Sequence, residues 1–502
     1  MGVPAFYKRL ISNYRNITLA LRQLLNNEQH LFLYIDFNAM IHPCMSKVVS
    51  KYLDKQNINR KVIEIEIFNE LKNELLKIVD KMNPKLLFIA TDGVAPVSKM
   101  SQQRLRRFKS IVEKNEKRKI FDSNSISPGT PFMNNLSNYL TLFIDQELKH
   151  KCKVIYSDDK QVGEGEHKII KFIKYLEKNK QNNENIIHVI NSLDADLIML
   201  SLQFSQNNIY LLREKQHYEK DNEVDTDEID MRYLILDIKH VKEYIWNELN
   251  KDYDYTNIID KTNFIKDFIF LCFFIGNDFL PHFKFLNVYD SGIEDIFKQY
   301  KIQLKKYKKS LLDNNHNINN NFLLDILKYF SDNENHFNNK NNKVKYDNIV
   351  RYYDEGWKER YYQHFLRNSN QHNIDNMCFN FCQMLKWTTL YYFEGTKNWT
   401  YYYKYRCSPC ISDLYKYLKE NDINDINISI TKPLSMIQQL MIILPPQSSY
   451  LIPRKYNHLM FGRLKFLYPK KFKLEKVNKK YPWMFEPILP DLNIKLILDN
   501  VY

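Results

Sequence analysis

An α/β architecture with a largely parallel sheet is expected for roughly the first 290 residues of this 502-residue chain, on three grounds. Short apolar runs rich in β-branched and aromatic residues alternate with helical patterns, as βαβ units require. Each of these runs finishes in or near a carboxylate, and ligands of open α/β sheets bind beyond the carboxyl ends of the strands. Glycine is scarce, ten in 502 residues, yet it persists at Asp92-Gly93, Gly163-Glu164-Gly165-Glu166 and Gly276-Asn277-Asp278. Glycine is retained where a backbone turns sharply or approaches another group closely.

Taken in order, residues 31–35 form the first buried strand and lead into Asp36, and residues 86–91 form the second and lead into Asp92. Residues 99–119 contain no Pro or Gly and are expected to form a long basic helix. The strand at 153–156 precedes the acidic turn, after which residues 167–178 carry Ile169, Ile170, Ile173 and Leu176 on one helical face. The strand at 186–190 runs toward Asp194 and Asp196, either of which suits the N-cap of a short helix over 197–202. An Asn-rich stretch, 314–345, is interrupted by helical residues 322–330, and its last part, 334–345, reads as a loop or linker. From 346 onward the pattern is mixed and aromatic. The expected organisation is therefore a first region over 1–333, a linker over 334–345 and a second region over 346–502.

Lys and Arg number 73 against 59 Asp and Glu, a surplus of fourteen positive charges that favours an anionic partner, nucleic acid being the commonest. Abundant Lys and Asn could also raise the charge through compositional drift. The longest apolar run, 268–275, falls far short of the ~18 residues that suggest a membrane helix. The N-terminus lacks a signal-peptide layout, and Phe6 stands where a myristoylation motif needs Ser or Thr, so an intracellular protein is expected, cytoplasmic in preference to nuclear. Seven cysteines, an odd number scattered along the chain, fit reduced thiols, and Cys407-Ser-Pro-Cys410 lacks a second ligand pair at zinc-finger spacing.

Asp36, Asp92, Glu164, Glu166, Asp194, Asp196 and Asp278 each stand at a strand end, a turn or a helix end. Any one of them alone could be a helix cap. Gathered in one pocket they would raise one another's pKa, and the usual relief is a bound cation. All-oxygen ligation favours two Mg²⁺ or Mn²⁺ ions, the arrangement suited to phosphodiester hydrolysis. On the basic helix, Lys99, Gln103 and Arg107 recur at i, i+4 and i+8 with Arg106 beside them, a face able to grip a phosphate, although solvated charged faces are common.

These residues resemble a known family, the 5′→3′ exoribonucleases or XRN family. The resemblance is carried, in order, by Met1-Gly-Val-Pro-Ala-Phe6, Tyr34-Ile-Asp-Phe-Asn-Ala-Met-Ile-His42, Thr91-Asp-Gly-Val-Ala-Pro96 with Lys99-Met-Ser-Gln-Gln-Arg-Leu-Arg-Arg-Phe108, Gly163-Glu-Gly-Glu-His-Lys168, Leu193-Asp-Ala-Asp-Leu197 and Cys272-Phe-Phe-Ile-Gly-Asn-Asp-Phe-Leu-Pro-His282. Residues 387–414 and 434–460 are similar to the family's second conserved region. The resemblance implies a PIN-like nuclease core in which the seven acids bind two Mg²⁺ or Mn²⁺ ions. It also implies that Lys99, Gln103, Arg106 and Arg107 bind an RNA 5′-monophosphate and that His42 stacks on the 5′ bases. The family's Trp-x-Trp reads Trp399-Thr-Tyr401 here, so either ring could complete the stack. A chain ending at Tyr502 leaves little room for the accessory domains of longer members, and a monomer with no obligate protein partner is expected.

The leading expectation is hydrolysis of single-stranded, 5′-monophosphorylated RNA to mononucleotides in RNA decay. A flap-type structure-specific DNA nuclease also clusters carboxylates, but residues 99–108 match a closed terminal-phosphate pocket. A catalytically inactive RNA-binding scaffold would be free to lose acids that cost stability without metal.

Overall fold

A computed structural model describes residues 7, 10, 17–21, 24, 30–55, 59–113, 120–179, 186–204, 208–215, 232–286, 291–340, 349–366, 368–477, 479 and 481–502. Seven strands form one sheet: β1 (Thr18–Ala20), β2 (His30–Asp36), β3 (Leu86–Ala90), β4 (Lys153–Ser157), β5 (Ile186–Asn191), β6 (Ile209–Glu214) and β7 (Tyr233–Asp237). Their spatial order is β1-β7-β6-β5-β2-β3-β4. The five strands from β6 to β4 are mutually parallel, and β7 and β1 close one edge antiparallel. The four strands expected from the sequence are β2 to β5; β1, β6 and β7 are additional.

From β2 the chain winds outward through β3 and β4, then returns to β5 on the other side of β2 and proceeds to β6. This reversal makes a switch point, with a crevice beyond the carboxyl ends of β2 and β5. Register aligns Asp36 with Ala90 and Ile35 with Asn191, which places the chain following each strand at that crevice. Strands β3 and β5 are buried along their whole length, as parallel strands covered on both faces must be.

The helices of the first region are α1 (Phe37–Ser50), α2 (Arg60–Met82), α3 (Val97–Val112), α4 (Pro131–Gln146), α5 (Gly165–Lys178), α6 (Asp196–Leu202), α7 (Ile238–Asn250), α8 (Lys261–Cys272), α9 (Gly292–Tyr307) and α10 (Asn320–Asp332). Alternate residues of the strands feed two cores. Leu33, Ile35, Leu87, Ile89 and Val189 pack with α1, α2 and α4. Tyr34, Phe88, Ala90 and Ile190 face a larger core with α5 to α10 that continues into the second region.

The expected linker over 334–345 does not begin as a loop. Residues Glu334–Lys340 form α11, and the buried Glu334 carboxylate accepts the Ile411 N–H at 2.8 Å and the Ser412 hydroxyl, fastening this segment to the second region. The remainder, 341–345, lies outside the described residues. The basic helix, expected to reach 119, ends at Val112, and 114–119 lie outside as well. The second region contributes α12 (Trp357–Leu366), α13 (Gln371–Phe393), α14 (Ile411–Glu420) and α15 (Met436–Ile443). A third core joins Val97, Met100 and Phe108 of α3 to Leu440, Ile443, Leu464 and Ile497. Helix α3 is thus packed against the C-terminal segment.

Candidate active site

The acids converge at the crevice, each held by local structure. Asp36 ends β2 and accepts the Ser192 hydroxyl at 2.9 Å, from the residue that follows β5. Asp92 accepts the Gly165 N–H at 2.7 Å, and its own N–H donates to Asn38 Oδ1 at 3.0 Å. The first turn of α5 therefore abuts the ends of β2 and β3. A Cβ on Gly165 would stand 3.1 Å from both Asp36 Oδ1 and the Ala90 carbonyl, and 3.4 Å from Asp92 Oδ1. Gly93 explains itself similarly, since a Cβ there would lie 1.7 Å from the Gln161 carbonyl oxygen. The loop before α6 is pinned by buried Arg213 of β6, which donates to the Leu193 carbonyl at 2.7 Å and the Asp194 carbonyl at 3.1 Å. Asp194 Oδ1 in turn accepts the Asp196 N–H at 3.0 Å, while the N-cap position of α6 is Ala195 and neither Asp194 nor Asp196, either of which the sequence suggested. Asp278 follows Gly276, whose φ of +96° an L side chain rarely adopts.

The buried Lys99 ammonium lies 2.6 Å from Glu164 Oε2 and 2.8 Å from Asp278 Oδ2, on the acidic cluster. The reason is electrostatic: a buried cation is stable only against opposite charge, and two carboxylates lie within reach of α3's first turn. Burial would lower the Lys99 pKa, but Asp278 and Glu164 outweigh it and raise it well above the ordinary value. In the same exchange Lys99 holds Asp278 below the carboxylate range against the effect of its burial.

One ammonium does not balance this cluster. Burial, reinforced by Asp92 and Asp194, pushes Asp36 up to about 7, and burial with Asp194 and Asp278 does the same to Asp196. Glu164 is raised by burial and Glu166 well above its usual value by burial and Asp194. Carboxyls so disposed hold protons near neutrality unless further cations enter, and their oxygens are the donors that hard divalent ions select. Glu164, Glu166 and His167 each offer a ligand atom within 4.8 Å of the other two. His167 is pushed down to about 3 by burial and by Lys99, so its imidazole is neutral.

Beyond the acids, the exposed Arg106 and half-buried Arg107 stand close to His42. Arg107 donates to Asn124 Oδ1 at 3.1 Å and to the Asn124 carbonyl at 3.3 Å. Gln103 keeps a buried Oε1 without a hydrogen-bond partner. His42 is exposed; enclosure by the cleft, Arg107 and Arg106 push its pKa down to about 4. No ring of the described residues stacks on His42. Trp399 and Tyr401 are both half-buried; the Trp399 carbonyl accepts the Val97 N–H at 2.8 Å at the start of α3. A cavity of about 1790 Å³ opens beside the cluster, lined by Asn277, Asp278 and Arg106 and, from the second region, by Tyr401 and Trp483.

Two contacts were not foreseen. Tyr391 donates its hydroxyl to Glu164 Oε1 at 2.6 Å, and Tyr392 donates to Asp196 Oδ1 at 2.7 Å, both from α13 of the second region. A run of aromatic residues on a buried helix carries no polar signal by which sequence alone could single them out.

Comparison with known proteins bears on this arrangement. The family model described as "XRN 5'-3' exonuclease N-terminus" matches residues 1–215, and that described as "Xrn1 helical domain" matches residues 258–346 and 324–502. The chain is 26% identical over 655 residues to 5'-3' exoribonuclease 1 of Saccharomyces cerevisiae, an alignment covering 96% of this chain and 42% of the yeast protein. It is 25% identical over 594 residues to 5'-3' exoribonuclease 1 of Homo sapiens, covering 99% of this chain and 34% of the human protein. Against the 5'-3' exoribonuclease 2 homolog of Drosophila melanogaster it is 26% identical over 651 residues, covering 99% of this chain and 70% of that protein. The chain thus spans less than half the length of the yeast and human relatives. With two models of one family matched in order along nearly all of its length, and the acids of the first model's region meeting at one crevice, the chain belongs to the XRN 5'-3' exonuclease family.

Proposed function

We propose that this protein is a metal-dependent 5′→3′ exoribonuclease that removes mononucleotides from single-stranded RNA bearing a 5′-monophosphate. The observation that carries the reading is the convergence of seven carboxylates at one strand-end crevice, with Arg106, Arg107 and His42 close by. Asp36, Asp92, Glu164, Glu166, Asp194, Asp196 and Asp278 would hold two Mg²⁺ or Mn²⁺ ions, with the Lys99 ammonium among them. Such ions supply charge for activating water and for the departing oxygen of the phosphodiester. Arg106 and Arg107 bind the terminal phosphate through guanidinium forks. His42, neutral above about pH 4, offers a flat face for a base without adding repulsion to the arginines. Of the two candidates for the opposite plate, Tyr401 lines the cavity shared with Asp278 and Arg106. At about 1790 Å³ the cavity exceeds the ~300–1,000 Å³ of small-ligand sites and suits a chain of nucleotides. Among the described residues no helix is long and apolar enough to cross a membrane.

The test is incubation of the purified protein with RNAs carrying 5′-monophosphate, 5′-triphosphate and 5′-hydroxyl ends, with and without Mg²⁺. A 5′-hydroxyl leaves the arginines without their partner, a triphosphate adds bulk, and a difference of ~1.4 kcal/mol is tenfold in rate. The monophosphate substrate is expected to disappear at least roughly tenfold faster than the hydroxyl substrate, with mononucleotide products that vanish in chelator. Equal rates for all three ends would remove the terminal-phosphate assignment. Discrete internal fragments from a 3′-labelled substrate would favour the flap-nuclease alternative.

A further inference from the structure

We propose that Tyr391 and Tyr392 are positioning residues for the metal-binding carboxylates, so that the second region completes the metal site with two phenol hydroxyls. The assignment rests on the metal reading of the acidic cluster given above. The two tyrosines are adjacent on α13, where successive side chains diverge by about 100° around the helix axis. They accordingly reach acids on different elements. Tyr391 meets Glu164, the residue before α5, at 2.6 Å, and Tyr392 meets Asp196, the first residue of α6, at 2.7 Å.

A buried phenol needs some acceptor, and a core tyrosine satisfied by any nearby oxygen is the ordinary case. Here both hydroxyls choose carboxylates that are themselves buried among other carboxylates. A donor on one oxygen fixes the rotation of a carboxylate and so directs its other oxygen. For Glu164 that other oxygen faces Lys99 at 2.6 Å, and each carboxylate oxygen keeps a further lone pair for an ion. For Asp196 the Tyr392 bond occupies Oδ1, and Oδ2 is the oxygen left to a metal.

The rings are fixed by packing, two of their neighbours adjoining other acids. His167, next to Glu166, lies with its ring centroid 4.0 Å from that of Tyr391. Phe279, next to Asp278, meets Tyr391 edge-on at 5.1 Å, and Trp387 stacks on Tyr391 at 4.9 Å with planes 12° apart. Phe273 packs on Tyr392 at 5.0 Å. The hydroxyls are therefore held in place before any ion arrives, which is what outer groups around a metal site contribute, and losing one such group typically weakens metal affinity about 10–100-fold.

The experiment measures Mn²⁺ binding alone, by titration calorimetry on the full chain, for wild type, Tyr391→Phe, Tyr392→Phe and the control Tyr403→Phe. Tyr403 is a buried phenol of the same region that donates to the Cys407 carbonyl at 2.8 Å and touches none of the acids. Each of the first two variants is expected to bind Mn²⁺ at least roughly tenfold more weakly, while the control binds as wild type does. In cleavage assays, the Mg²⁺ concentration for half-maximal rate should rise and the KM for RNA should stay within about twofold. Since either hydroxyl is removed independently, a folding defect in one variant leaves the other to decide. Wild-type Mn²⁺ affinity in a folded Tyr391→Phe or Tyr392→Phe protein would overturn the positioning role alone. A wild-type protein that binds no Mn²⁺ would overturn the metal reading and this assignment with it.

Discussion

At Gly165 the absence of one carbon lets two strand ends and a helix start share an oxygen-lined space. An added Cβ would press on the Ala90 carbonyl and on Asp36 Oδ1, both 3.1 Å away. The carbonyl belongs to a central strand and has little room to give, so the Asp36 carboxylate must shift by a few tenths of an ångström. Because a misplacement of about 1 Å costs ~10²-fold in rate, Gly165→Ala is expected to slow single-turnover cleavage by tenfold or more while lowering the melting temperature only slightly. A variant with wild-type turnover would show that Asp36 tolerates the displacement. The same carboxylates predict a pH dependence in the metal-free state. Asp36 and Asp196 stand at about 7 in the folded protein, against 3.8 when unperturbed. Between those values the folded chain keeps protons that the unfolded chain releases, so stability falls as pH rises from about 4 to about 7. Divalent ions should reverse the loss, and Asp36→Asn should flatten the slope of melting temperature against pH in chelator. How much of the site the sequence disclosed also divides at this scale. The acids were legible because each sits at the end of an apolar run or in a glycine turn. The contacts of Lys99 with Glu164 and Asp278 were not legible, because helical spacing says which residues share a face but not which distant acids meet the first of them.

Helix α3 is the element on which the two regions meet. Its basic face was legible from the i, i+4, i+8 pattern, but buried Arg104 looks no different in sequence from its exposed neighbour Arg106. In the fold Arg104 donates to the Ile442 carbonyl at 2.7 Å and to the Leu467 carbonyl, and its guanidinium stacks over Phe108 and Tyr468. It fastens α3 to α15 and to the C-terminal segment. Arg104→Met preserves the stem and leaves those carbonyls unsatisfied, at a cost of roughly 3 kcal/mol. The expected result is a lower urea midpoint with unchanged Mn²⁺ affinity in the fraction that remains folded. A loss of Mn²⁺ affinity without a change in stability would mean that Arg104 acts on the site and not on the packing of α3. Strands β6 and β7 escaped the sequence reading because their apolar runs, residues 209–212 and 233–236, are too short to separate a strand from a piece of buried helix.

Across the whole molecule the boundary drawn at the Asn-rich stretch is one of composition and not of packing. One core runs from Tyr34 and Ile170 through Phe270 and Phe274 to Phe381, Trp387 and Tyr391. Phe283 meets Phe381 at 5.2 Å and Phe279 meets Trp387 at 5.2 Å, so residues flanking Asp278 are packed by the second region. Aromatic pairs of this kind bury large apolar areas, at ~25 cal/mol per Å². A fragment of residues 1–345 would keep all seven acids and the basic face of α3. It would also expose the apolar side of α8, lose the hydroxyls on Glu164 and Asp196, and release α3 from the third core. Sequence position alone would rank this fragment as a complete nuclease; the packing predicts that it lacks a cooperative melting transition and chelator-sensitive cleavage. Adding residues 346–502 as a separate chain should restore both, since the lost contacts are noncovalent. Circular dichroism melting and RNA cleavage by the fragment, alone and with its complement, check this directly. A fragment that melts cooperatively near the temperature of the full chain and cleaves RNA would show that the shared core is dispensable to the site.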